Sequence, residues 1–210
     1  MLSFQLQLNI GLNTLSAGVD AYTWRARYYD LVTQVPDVEF YLALAEEYGS
    51  PILDLACGTG RILLSLAEAG YEVWGLDISE NMLAFARQKV RDAGVEERVH
   101  LVEADMVSFD LPEQDFALAL IPYESFRYLL DSADQFSCLR QIQKHLRPAG
   151  TLVMDLAAPG LKWLTHPKEG EWLPEQTFAL PEGGQLKRKH RYLRRNYDTQ
   201  TNEIEAVFVE

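Results

Sequence analysis

The run Ile52-Leu53-Asp54-Leu55-Ala56-Cys57-Gly58-Thr59-Gly60-Arg61 constrains this chain more than any other segment. A short apolar stretch ends in a glycine turn, and a helical pattern opens directly behind it. Glycines let a ligand approach the backbone closely, and the helix start presents N–H groups with no partner inside the helix. Nineteen residues beyond Gly58, Asp77 ends a second apolar stretch, where a carboxylate can accept hydrogen bonds from both ribose hydroxyls of a nucleoside. The glycines alone would be an ordinary tight turn; turn and acid at this spacing point to a nucleoside site. The dinucleotide fingerprint would put a third glycine at position 63, where Leu63 stands, so diphosphate binding loses ground.

The same strand-then-helix rhythm runs through the middle of the chain. Residues 51–56, 71–77, 99–104, 115–121 and 151–156 read as strands, and residues 60–69, 80–91 and 133–146 as helices between them. Ser79 is a cap, and Gly70 and the run Arg147-Pro148-Ala149-Gly150 are stops. Two further helices precede this core, residues 21–35 with Tyr22, Trp24, Tyr28 and Tyr29, and residues 37–48 ending at Gly49. Strands separated by helices form βαβ units, so the fold class is α/β: a doubly wound parallel sheet with helices on both faces. The pattern breaks after residue 156. Residues 157–184 have little periodicity, and residues 186–195 and 203–209 read as an antiparallel hairpin turning at 196–202. The expected divisions are a leader and two helices (1–49), the parallel core (50–158), and an irregular connection with the hairpin (159–210).

Composition excludes several classes. Nineteen basic against thirty-one acidic residues give a net charge of −12, which repels nucleic-acid backbones and anionic membranes. Six of the basic residues nevertheless fall between positions 187 and 195. They read as the solvated face and edge of the hairpin, with an anionic substrate or partner as the less favoured reading. Two distant cysteines, Cys57 and Cys138, suit a reducing compartment, so a cytoplasmic location is expected. No apolar run approaches the roughly 18 residues of a membrane span. The stretch from Met1 carries no Lys or Arg before Arg25, a poor signal peptide. His100, His145, His166 and His190 lack ligand spacing, so no metal site is expected. Cys57 has no partnered base and reads as inert.

From Trp24 to about position 158 the chain resembles the class I S-adenosylmethionine (SAM)-dependent methyltransferases, with their Rossmann-like core. Asp54-Leu55-Ala56-Cys57-Gly58-Thr59-Gly60 looks like the first motif, Ala56 replacing the usual first glycine. Gly75-Leu76-Asp77-Ile78-Ser79 with Met82 looks like the second, and Glu103-Ala104-Asp105-Met106 like the third. Leu146-Arg147-Pro148-Ala149-Gly150 resembles the family's lead-in to its fifth strand. The resemblance implies SAM as cofactor and S-adenosylhomocysteine as its product. It puts Asp77 on the ribose, Ile78 and Met82 beside the adenine, Asp105 on the adenine amino group and Met106 against its ring. Tyr29, Asp54, Ala56, Cys57, Gly58, Gly60, Arg61, Ile121 and Pro122 complete the implied cofactor site. The segments 24–48 and 122–130 look most like the small-molecule branch, whose N-terminal helices form a lid, with Tyr29-Asp30 near the methionine end.

The expected function is methyl transfer by direct displacement to a nitrogen or oxygen of a small molecule. If the acceptor must lose a proton, Tyr28, Tyr29, Tyr123 and Glu124 are the candidates, and none has a spacing that singles it out. A nicotinamide-dependent oxidoreductase is the alternative from the same fold, opposed by Leu63 and by the lack of a Tyr-x-x-x-Lys pair; a non-catalytic SAM-binding protein is the third reading. The hairpin either follows strand five as an accessory element beside the acceptor pocket or takes the place of the family's last strands. The first reading is preferred because the hairpin resembles an accessory sheet of the small-molecule branch. A sheet left incomplete would expose an edge and favour a homodimer.

Overall fold

A computed structural model describes residues 3–10, 19–156, 168–196 and 201–210, with side chains from Ala26 onward. The side chains of Tyr22 and Trp24, the whole of Trp163 and His166, and residues 197–200 of the expected hairpin turn lie outside this description. The chain divides into two compact units, one of residues 22–156 and one of residues 1–21 with 157–210.

The larger unit contains five parallel strands, β2 (Ile52–Leu55), β3 (Val73–Asp77), β4 (Val99–Glu103), β5 (Phe116–Ile121) and β6 (Leu146–Met154), in the order β4-β3-β2-β5-β6. The helices are α1 (Val19–Val32), α2 (Val38–Tyr48), α3 (Arg61–Glu68), α4 (Glu80–Ala93) and α5 (Ser132–His145). This is the doubly wound α/β architecture the alternation implies. The central strands β2 and β5 are buried along their whole length, as expected of a sheet covered on both faces. Alternate residues serve opposite layers. Ile52, Leu118 and Leu120 pack with Tyr41, Leu63, Leu66 and Leu83 of α2, α3 and α4. Leu53, Leu55, Ala119 and Ile121 pack with Cys138 and Ile142 of α5 on the other side.

Helix ends follow from local chemistry. Ser79 caps α4 by accepting from the Met82 N–H at 3.4 Å, and Asp131 caps α5 by accepting from Ala133 at 2.7 Å. His145 closes α5 as a structural residue. Its Nε2 accepts from the Leu111 N–H at 3.2 Å and its Nδ1 lies 2.7 Å from the Gln141 carbonyl, so Nδ1 carries the proton. Leu146 already pairs with Phe116, before Thr151 pairs with Leu118, so the run expected only to stop the helix forms a wide bulge in β6.

The smaller unit is an antiparallel sheet of four strands in the order β1-β9-β8-β7: β1 (Ser3–Ile10), β7 (Gln176–Ala179), β8 (Gln185–Asn196) and β9 (Thr201–Val209). The expected hairpin is therefore present, but in a sheet of its own, and does not complete the parallel one. Its flanks include two strands the sequence pattern does not mark: the leader pairs along β9, and residues 176–179 pair with β8. A register shift between Tyr192 and Arg194 moves Arg194 to the face of Arg191 and Arg195 to that of Tyr192, correcting the simple alternation. The basic stretch is met by acids inside the unit: Lys187 pairs with Glu175 at 3.2 Å and Arg191 with the buried Glu205 at 2.5 Å. Lys189 and Arg191 also lie over the Trp172 ring, 4.6 and 4.5 Å from its centre.

One contact tests the layering directly. A Cβ on Gly75 would fall 2.2 Å from Leu63 Cδ1, 2.8 Å from Leu101 Cδ2 and 3.0 Å from Cys57 Sγ. Gly75→Ala should therefore destabilise the protein by about 1–3 kcal/mol in urea denaturation, because three packed side chains must give way together.

Candidate functional site

The carboxyl ends of β2, β3, β4 and β5 carry the residues singled out in the sequence. After β2 the backbone turns through Ala56, Gly58 and Gly60, all left-handed, with φ of 55°, 57° and 80°. Glycine adopts that region freely, whereas Ala56 holds it at a cost of about 1 kcal/mol. Gly58 donates its N–H to Asp77 Oδ2 at 2.8 Å, and the Ser79 N–H donates to Oδ1 at 2.9 Å. Asp77 thus ties the turn after one strand to the end of the next.

Asp54 differs sharply from Asp77. It is 1% exposed and neither carboxylate oxygen has a hydrogen-bond partner. Alternation along β2 puts it on the layer of α2–α4, with Ile52. Burial pushes its carboxyl from 3.8 up to about 7; Arg61 pulls the other way, Asp77 adds to the rise, and the Leu63 N–H, short of a hydrogen bond, weakly favours the charge. Burial likewise pushes the Cys57 thiol well up, with Asp54 and Asp77 adding to it, which suits an inert residue.

Around these acids the remaining residues divide. Ile78 is 59% exposed, a large apolar side chain open at the strand end, and Met106 is half-buried. Asp105 is exposed, and its Oδ1 accepts from the Val107 N–H at 2.9 Å, so it shapes its own turn. Met82 is buried on the inner face of α4, and Ile121 and Pro122 are buried at the end of β5. Beyond them Tyr123 and Glu124 both adopt left-handed backbone, φ 52° and 59°, in a tight turn where Glu124 pairs with Arg127. Consecutive non-glycine residues in this region store strain of the sort concentrated at functional sites. Tyr29 reaches the turn, since a Cβ on Gly58 would lie 3.7 Å from its Cε1. Tyr28 is buried, 3% exposed. Arg61 is engaged by Asp37 and by the Val35 carbonyl at 3.4 Å. Thr59, fully buried between the two glycines, was not marked by the sequence. Among the described residues no cluster of His, Cys, Asp and Glu could hold a metal ion, and no helix is long and apolar enough to cross a membrane.

The state of Asp54 gives a pH dependence. Its folded value lies above its unfolded value, so between about pH 4 and 7 the folded state holds the extra proton, and stability from this group, full below about 4, is lost as pH rises through about 7. Asp54→Asn removes that titration. Its stability relative to the parent should improve steadily as pH rises from 4 to 8 in urea denaturation, and a pH-independent difference would place the ionisation elsewhere.

The comparisons bear on this geometry. Residues 52–150 match the family model described as a methyltransferase domain. YqeM of Bacillus subtilis (strain 168), named as a methyltransferase, is 36% identical over 128 residues, covering 61% of this chain and 48% of YqeM, so the chain spans about half that relative's length. The CcbJ methyltransferase from Streptomyces caelestis superposes with a TM-score of 0.64 over 88% of this chain and 95% of its own, at 22% identity. The sugar N-methyltransferase KedS8 from Streptoalloteichus sp. ATCC 53650 does so with 0.62 over 88% and 69%, at 26% identity. The matched segment runs from β2, whose end carries the glycine turn, to the bulge in β6: over these residues the chain resembles a methyltransferase domain, and its fold is that of the CcbJ methyltransferase.

Proposed function

We propose that this chain transfers a methyl group from SAM to a nitrogen or oxygen of a small-molecule acceptor. The observation that carries the reading is the pair of carboxylates at the ends of adjacent strands, Asp77 fixed by two backbone N–H groups and Asp54 buried without a partner. The cofactor's parts suit them: a ribose diol for the carboxylate of Asp77, and an α-ammonium group that would favour the ionised form of the buried Asp54. Exposed Ile78 and half-buried Met106 offer apolar surface for the adenine, and Asp105 an acceptor for its amino group. Cys57, Gly58 and Gly60 supply backbone, Tyr29 covers Gly58, and Ala56, Arg61, Met82, Ile121 and Pro122 shape the walls.

When bound, the cofactor supplies an electrophilic methyl group on a sulfonium, so no strong acid or base is required. The protein's contribution is to align the acceptor with that methyl and exclude water, an effect worth about 7–11 kcal/mol at its best. If an acceptor must lose a proton, Tyr123 and Glu124, in their left-handed turn, are the candidates we retain for taking it. The net charge of −12 and the internal pairing of the basic strand favour a small molecule over nucleic acid. The likeness to a sugar N-methyltransferase supports an amine as acceptor. Against a nicotinamide cofactor stands Leu63, fully buried against Gly75 at the position where the dinucleotide fingerprint has its third glycine.

Asp77→Ala should lower the affinity for S-adenosylhomocysteine at least about tenfold, since each charge-assisted ribose bond is worth roughly 1.5–3 kcal/mol. Equilibrium dialysis on a folded variant measures it, and unchanged affinity would remove Asp77 from the site.

A further inference from the structure

Two carboxylates grip the glycine turn from the N-terminal helices. Asp30 on α1 accepts from Thr59 Oγ1 at 2.6 Å, and its second oxygen pairs with Lys89 on α4. Asp37, at the start of α2, takes both terminal nitrogens of Arg61, the first residue of α3, with Nη2 3.0 Å from Oδ2. Thr59 and Arg61 flank Gly60, so the turn is held on each side of that glycine by a different helix. Neither Thr59 nor Arg61 is needed for these contacts by α3 itself: the N-cap of α3 is Gly60, which has no side chain to cap with.

A turn built on left-handed glycines has little preference for one shape, and its N–H groups select a ligand only if something holds them. We propose that Asp30 and Asp37 are positioning residues, a pair of clasps through which α1 and α2 fix the glycine turn, so that docking of these helices and binding of the cofactor are one coupled equilibrium. The inference rests on the proposed cofactor site and adds two residues that act on it through Thr59 and Arg61. Coupling of this kind is reciprocal. The clasps raise cofactor affinity, and the cofactor in turn protects α1. Because Tyr29 is next to Asp30 in α1, the same docking also sets the ring that lies against Gly58.

Asp30 is the clasp to test, since its side chain is 44% exposed and its removal leaves no buried void. Asp30→Ala, Thr59→Val and the double variant are titrated with S-adenosylhomocysteine by calorimetry, and each is melted without ligand. Each single change should weaken binding by about five- to tenfold, and the double by no more than the larger single, because both remove one contact. Asp30→Asn should recover most of the affinity, as its amide oxygen still accepts from Thr59 while the Lys89 pair is lost. Amides 57–61 of ligand-free Asp30→Ala should exchange faster than in the parent. A merely structural role would lower the melting temperature and leave affinity unchanged; that result, or additive losses in the double variant, overturns the proposal. Absence of binding to the unaltered protein would instead count against the proposed function.

Discussion

The carboxylate of Asp77 is the joint on which the site depends. By accepting from Gly58 and Ser79 it fastens the turn after β2 to the end of β3 and sets the start of α4, whose cap is Ser79 itself. One side chain therefore fixes where two helices begin and which way their free N–H groups point. Charge-assisted bonds of this kind are short and directional, which is what a backbone turn rich in glycine lacks on its own. The neighbouring Asp54 has the opposite character, a carboxyl withdrawn from water without a hydrogen-bond partner, which burial holds toward its neutral form and a cationic ligand group would draw toward its charged one.

The sheet makes this arrangement possible. Five parallel strands bring their carboxyl ends to one edge, and residues nineteen apart in sequence meet there through a single hydrogen bond. The packing beneath is unforgiving at Gly75, where Leu63 fills the space a side chain would need.

Much of this was legible in the chain before folding. Every parallel strand and its intervening helix follows from apolar runs, caps and glycine stops, and the glycine turn with Asp77 followed from spacing. What was not legible depends on partners remote in sequence. The leader forms a strand because β9, some two hundred residues later, offers an edge, and nothing local in 3–10 records that. The face swap after Tyr192 needs the register of β9 to be seen. Arg61, expected in the cofactor site from its place after the glycines, is engaged by Asp37, and Thr59 acquires meaning only when α1 brings Asp30 to it. Left-handed backbone at Ala56, Tyr123 and Glu124 is likewise imposed by the turns and not announced by residue type.

The most direct test of the central claim is a pair of calorimetric titrations on the unaltered protein, one with S-adenosylhomocysteine and one with NADH. A site made from Asp77, the glycine turn and the unpartnered Asp54 should bind S-adenosylhomocysteine with one-to-one stoichiometry and give no heat with NADH. Saturable binding of NADH, with none of S-adenosylhomocysteine, would contradict the account.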